Sequence, residues 1–429
     1  MNKKMIFSFF LIGVLIASIL GYSRYASSRE MDTYLDKNHE SIDSNSKDFK
    51  ILDSDVKNND VILCGEGHAI KYNYKLENNL IEYLNKNYNV NYVLMEYSYS
   101  ETCYINAYLE SGNKENLSNI FKDFKETASY SDDFYNFLVK LRNYNLTREK
   151  DKKIKVVGID IEHQIPTSIR YLDSIIEVKD KAPDEIATDI DEIKKQAKNE
   201  SITNKDVIYN TDLKNNVLKL QKDMKKSKKC YEEYLGNNYF DFEFIVNNMI
   251  NAFDAYSSFS NSANSTQFKK FEKKRELCIY NNFKILHAQL PKGKYFGQFG
   301  GEHVYQSSFS DEVYKKEDPR LAMYLNGNGS PVKGKVLSIE YYYKNSQDMA
   351  SKPPYFSEKV KYLIDDKAVS NYVKSDINIF KLDGDKSPFN KSMYFMKYKG
   401  LKGSTTDYFK YIVIIKNSPA ASVYSISGD

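Results

Sequence analysis

The sequence predicts an α/β fold, a mostly parallel β-sheet flanked by helices and enlarged by a helical insertion. Three observations carry this. Short apolar runs end at glycine or a carboxylate; segments with helical spacing follow them; and from about 180 to 290 the strand signal gives way to long amphipathic helices. Composition agrees: of 429 residues, 41% are hydrophobic and 28% charged, enough apolar mass for a large core and too much for disorder along most of the chain. Lys and Arg number 62 against 58 Asp and Glu, lie interspersed with them and leave a net charge of +4, so no nucleic-acid-binding face is expected. The four cysteines, at 64, 103, 230 and 278, are too scattered for a disulfide framework or a zinc knuckle.

In chain order, Lys3 and Lys4 precede an apolar run from Met5 to Leu20 that ends at Gly21-Tyr22. Residues 1–22 therefore read as a signal anchor or signal peptide, most simply an uncleaved transmembrane helix. The expected location is the cell membrane, with everything beyond Tyr22 extracytoplasmic, or secretion if the segment is cleaved. Residues 23–50 read as a polar tether of low order. The domain then occupies 51–429, starting with the strand Val61–Cys64 and a helix through Leu76, Leu80 and Leu84. A second strand, Val90–Met95, ends at Glu96. Helices around 102–110 and through Phe134, Phe137, Leu138 and Leu141 lead to the strand Ile154–Ile159, which ends at Asp160. Helices carrying Leu213–Met224, Phe242–Phe253 and about 267–288 fill the insertion. Strands return at Lys294–Phe299, Lys335–Tyr343 and Tyr411–Lys416, with surface loops expected over 344–360 and 383–407.

In a parallel sheet the ligand site lies beyond the carboxyl ends of the strands, where loops and helix N-termini converge. Those ends carry Glu66 and His68, then Glu96, then Asp160, Glu162 and His163, and finally Glu302 and His303. The pattern Gly-x-x-His occurs twice, as Gly65-Glu66-Gly67-His68 and Gly300-Gly301-Glu302-His303, and uses two of only five histidines. Such a cluster suits general acid/base hydrolysis, an imidazole taking a proton from water while a carboxylate holds its tautomer. It equally suits a divalent metal ion held by His68, His303 and Glu96. No Gly-x-Ser-x-Gly elbow supports a serine nucleophile, and Gly65-x-Gly67 is too short for a phosphate loop. His39 and His287 have no such setting.

At these residues the chain resembles the erythromycin esterase family and its wider relatives, the Tiki-type proteases and the ChaN-like haem-uptake proteins. Gly65–His68 is similar to the family's first Gly-Glu-x-(x)-His motif, "YVLMEYS" (92–98) to its second strand, and "VVGIDIEHQIPTS" (156–168) to its Gly-x-Asp segment. Arg275-Glu276 with Asn282 resembles the family's Arg-Asp…Asn helix, Gly300–Val304 the strand that ends in His, and "YIVIIKNSPA" (411–420) the final strand. The resemblance implies His68 as general base, Glu66 and Glu96 as its acidic partners, and Arg275 and His303 as groups that orient substrate or stabilise an oxyanion. Asp160, Glu162, His163 and Glu302 are the expected substrate-binding residues. Two departures set the chain apart from typical esterases: Gly300-Gly301 stands where their His-Asn would be, and the first motif is one residue shorter.

The function expected is thus hydrolysis of an ester, lactone or amide in a small-molecule substrate, with no cofactor. One alternative is a metal-dependent hydrolase of Tiki type. The other is a non-catalytic binding module for haem or a glycan; Tyr341-Tyr342-Tyr343 on an expected strand could serve such a ligand, but with 37 Tyr in the chain biased composition explains the run better.

Overall fold

The computed structural model describes residues 29–176, 181–259, 265–308, 318–360, 367–396 and 401–425. The strands are β1 (His39–Ile42), β2 (Val61–Glu66), β3 (Val90–Ser98), β4 (Lys155–Asp160), β5 (Lys294–Gly300), β6 (Val336–Lys344), β7 (Gln347–Met349), β8 (Ser357–Lys359), β9 (Ile377–Lys381) and β10 (Tyr411–Lys416). Eight form one sheet in the order β1-β9-β10-β6-β2-β5-β3-β4, and β7 and β8 form a separate hairpin. From β10 to β4 every pair is parallel. Only the β10–β9 and β9–β1 pairs, at one edge, are antiparallel.

The centre of the sheet explains why its strands read as unbroken apolar runs. Val61, Ile62, Leu63 and Cys64 are all fully buried. Ile62 and Cys64 enter the core on one face, and Val61 and Leu63 the core on the other. A strand covered on both sides has no polar face to alternate. Each such aliphatic side chain contributes about 1.5–3 kcal/mol relative to an exposed one. A third core holds the inserted helices together through Ile190, Val217, Leu220, Ile245 and Met249.

β3 is turned into its helix by local chemistry. Ser98 is the N-cap of the Tyr99–Ser111 helix: its hydroxyl accepts from the Glu101 N–H, and Glu101 Oε2 accepts from the Ser98 N–H at 2.7 Å. This reciprocal box is written in the sequence as Ser-x-x-Glu, and it ends the strand just beyond Glu96.

Three expectations need correction. Residues 29–50 are not a loose tether. Met31, Tyr34 and Leu35 are buried, the Tyr34 hydroxyl donates to Lys381 O at 2.9 Å, and β1 pairs with β9 as the sheet edge. Three apolar residues on a single helical turn, amid polar neighbours, are too few to register as a period. The 344–360 loop contains the β7–β8 hairpin. The expected transmembrane anchor and membrane partner are also revised. Residues 1–22 lie outside the described residues, and among the described residues no helix is long and apolar enough to cross a membrane. Ser265–Gln289 has 25 residues but carries Lys269, Lys273, Arg275 and Lys284, whereas a span needs about 20 predominantly apolar ones.

Candidate active site

β2, β5, β3 and β4 are neighbours, so their carboxyl ends deliver the polar residues side by side. The turn after β2 is held firmly. The Gly67 N–H donates to the Tyr343 hydroxyl at 2.9 Å, Tyr343 donates to Asn73 Oδ1 at 3.0 Å, and Asn73 Nδ2 donates to Gly67 O at 2.6 Å. Its glycine start fits close packing, because a Cβ on Gly65 would lie 2.2 Å from Glu340 Oε2, 2.6 Å from Val304 Cγ2 and 3.0 Å from the Gly301 backbone. The turn presents His68 with its side chain 52% exposed and Nδ1 3.1 Å from Glu66 Oε1. The other oxygen of Glu66 accepts from Gln298 Nε2 at 2.7 Å.

Behind this pair lies a denser charge network. Arg275 donates from Nε to Asp160 at 3.0 and 3.1 Å and from Nη2 to Glu96 Oε1 at 2.6 Å. Glu96 Oε2 accepts from the Gly300 N–H at 2.7 Å. His303 places Nε2 3.2 Å from Glu96 Oε1 and Nδ1 2.8 Å from Glu276 Oε1, with its side chain 7% exposed. Arg320 closes the far side, with Nη1 3.3 Å from Glu276 and Nη2 2.5 Å from Glu302. Glu272, Arg275 and Glu276 share one face of the Ser265–Gln289 helix through i, i+3 and i+4 spacing.

The charges tune one another. Burial works against a charged His303, but Glu276 and Glu96 outweigh it and push its pKa well above the ordinary imidazole value. Burial would raise Glu96, yet His303 and Arg275 hold it well below the usual carboxylate range. Asp160 is likewise lowered, burial being outweighed by Arg275 and His163. Loss of water disfavours the charged form of His68, but the hydrogen bond to Glu66 and the charge of Glu96 raise its pKa. Glu66 itself is raised by burial, with His68 acting in the opposite direction.

The structure thus brings together Glu66, His68, Glu96, Arg275 and His303, with Glu302 at the rim. It corrects the substrate-binding expectation for Asp160 and Glu162. Both are fully buried, Asp160 against Arg275 and Glu162 against Ser100 at 2.5 Å, Ser168 at 2.7 Å and Asn248 at 3.1 Å. A carboxylate saturated from behind has no face left for a ligand. His163 also supports rather than binds, with Nδ1 2.7 Å from the Tyr256 hydroxyl and Nε2 3.3 Å from Asp160. Of the alternative metal-ligand set His68, His303 and Glu96, His303 has Nε2 3.2 Å from Glu96 and Nδ1 2.8 Å from Glu276, and among the described residues no group of three His, Cys, Asp or Glu is arranged to hold a metal ion. Tyr341, Tyr342 and Tyr343 are buried in β6 and offer no face to haem or a glycan. Cys64 is inert, burial pushing its thiol up to about 12.

Arg320, Gln298 and Glu77 are the members that the sequence reading did not name. Gln298 had a signal, a polar residue in an otherwise apolar central strand; Arg320, remote in sequence, had none. A cavity of about 50 Å³ beside the dyad is lined by Glu66, His68, Tyr74, Glu77, Tyr97 and Gln298, among others. A larger one of about 380 Å³ opens between inserted helices, against Ile193, Leu213, Val217 and Met249, and includes no strand-end residue.

A parallel sheet with a histidine–carboxylate dyad at its strand ends and an arginine-bound glutamate behind it defines an erythromycin-esterase-like α/β protein. The chain belongs to the erythromycin esterase family, whose model matches residues 86–311. Among solved structures, a Bacillus cereus protein is similar at 15% identity and a TM-score of 0.64, covering 93% of this chain and 99% of its own. A succinoglycan biosynthesis protein is similar at 11% identity and 0.67, covering 92% and 98%. A mutant of the erythromycin esterase EreC in its open conformation is similar at 14% identity and 0.62, covering 88% and 95%. At these identities the likeness is one of fold. Among curated proteins no match is found.

Proposed function

We propose that this protein is a hydrolase that cleaves an ester, lactone or amide bond by using His68 to activate water. The observation that carries the reading is the contrast within the dyad: His68 is half exposed, while its Nδ1 lies on a buried carboxylate. A carboxylate only accepts, so Nδ1 keeps its proton and Nε2, on the side of Gly300, has a lone pair for the proton of a water molecule. The water oxygen attacks the carbonyl carbon, and His68 returns the proton to the leaving oxygen or nitrogen. Behind the dyad, Arg275 and His303 hold the Glu96 carboxylate in place.

The test is turnover of a panel of aryl esters, lactones and anilides by the wild type and by His68→Ala. Loss of activity in the variant at an unchanged melting temperature is expected; retained activity would overturn the assignment. Wild-type activity that persists in the presence of a chelator separates this mechanism from a metal-dependent one.

A further inference from the structure

We propose that Gln298 is a positioning residue for His68, bridging Glu66 and Glu77 so that Glu66 holds the His68 Nδ1–H, and that Glu77 is the neutral member of this carboxyl pair. The inference rests on the reading of His68 as the base and deepens it.

Gln298 lies on β5 opposite Cys64 of β2 and Met95 of β3, at the centre of the sheet. An amide there loses its contact with water and needs a compensating partner. Its Nε2 donates to Glu66 Oε2 at 2.7 Å and reaches Glu77 Oε2 at 3.4 Å, while its Oε1 is buried without a hydrogen-bond partner among the described residues. The orientation is therefore set by the carboxyls, because the flipped amide would turn its oxygen onto the charged Glu66. Glu77, on the Lys71–Tyr88 helix, is 6% exposed, and among the described residues the charge that acts on it is that of Glu66. Two ionised carboxylates sharing one amide donor in such a place would repel each other. Burial first and the charge of Glu66 second raise Glu77 well above the usual range, in line with that geometry. The titratable groups that share the 50 Å³ cavity with Glu77 are Glu66, His68, Tyr74 and Tyr97, and the hydrogen-bonded partner of His68 is Glu66, not Glu77. With Oε2 of Glu66 fixed by Gln298, Oε1 is left aimed at His68.

The tautomer of His68 reads this directly and without substrate, so the outcome is independent of whether turnover is found. ¹⁵N-histidine NMR of the full chain has only five ring systems to resolve, and the His68→Ala spectrum assigns the one that matters. At a pH where His68 is neutral, the wild type should show the Nδ1–H form as the major species. Gln298→Met, similar in length but without a donor, should lose it in favour of the Nε2–H form. Gln298→Asn, which keeps the amide but falls one methylene short, should do the same and serves if the first variant does not fold. Glu77→Gln, the isostere of a neutral carboxyl, should keep the Nδ1–H form. A wild type in the Nε2–H form, or Gln298 variants that keep Nδ1–H, would overturn the positioning role. A Glu77→Gln spectrum matching that of Gln298→Met would overturn the neutral assignment of Glu77. His39 and His287, remote from the site, report an intact fold.

Discussion

The two Gly-x-x-His turns look alike in sequence and end in opposite environments. After β2, His68 stands half exposed beside a single carboxylate. After β5, His303 is 7% exposed between two carboxylates that are in turn held by Arg275 and Arg320. The first ring is open to solvent and, as proposed, to substrate; the carboxylates around the second favour its charged form. Equal motifs thus carry unequal roles, because the pKa and accessibility of an imidazole are set by what surrounds it.

The strongest way to break this comparison is to remove each ring. His68→Ala should lower kcat by about 10²- to 10⁴-fold with little change in melting temperature. His303→Ala should instead cost about 3–5 kcal/mol of stability in a denaturant titration, because Glu96 and Glu276 are left buried without their shared cation. A soluble, equally stable His303→Ala protein would show that the network does not depend on that charge.

Arg275→Met tests the same network from the helix side. It leaves Asp160 and Glu96 without their guanidinium and should destabilise the fold by about 3–5 kcal/mol as well. Arg275→Lys should recover only part of this, since an ammonium cannot make the forked contacts seen here.

The pH dependence should separate the histidines further. In its proposed role as base His68 works in its neutral form, so kcat/KM should rise with pH around a midpoint above the ordinary value of about 6.5. His303, raised in the folded state, contributes stability that is complete below its unfolded pKa and is lost as pH rises through its folded one. Glu96, lowered in the folded state, contributes stability present above its unfolded pKa and lost as pH falls through the folded one. Urea midpoints across pH should therefore decline on both sides of a plateau, while activity follows only the His68 midpoint.

The smallest effect is expected at Gly300. A Cβ there would lie 3.1 Å from His68 Nε2 and 3.3 Å from Cε1. Gly300→Ala should displace the ring and lower kcat by roughly tenfold while leaving stability nearly intact. An unchanged kcat would mean that the ring has room to give.

Much of the site was legible in the sequence because parallel strands advertise their ends. Glu66, Glu96 and the two histidine turns follow apolar runs that end abruptly, and the sheet order then makes them neighbours. Asp160 and Glu162 satisfied the same pattern and yet are fully buried, Asp160 against Arg275 and Glu162 against Ser168 and Asn248, since position at a strand end does not fix how a side chain is saturated. Arg320 escaped notice because its partners Glu276 and Glu302 come from other parts of the chain. Nor did the segment leading into the short edge strand β1 stand out, as its apolar anchors Met31, Tyr34 and Leu35, on the helical turn before the strand, acquire meaning only against the core they enter.

By itself the sequence determined the fold class, the central strands, the helical insertion and the strand-end location of the site. These depend on periodicity and on where apolar runs stop, which are local properties of a chain. Only the tertiary structure decided which histidine is free to take a proton and which is a buried cation, and that Gln298 and Glu77 stand behind the dyad. Those are matters of distance, desolvation and the net charge of neighbours brought together from separate segments, and no single stretch of residues encodes them.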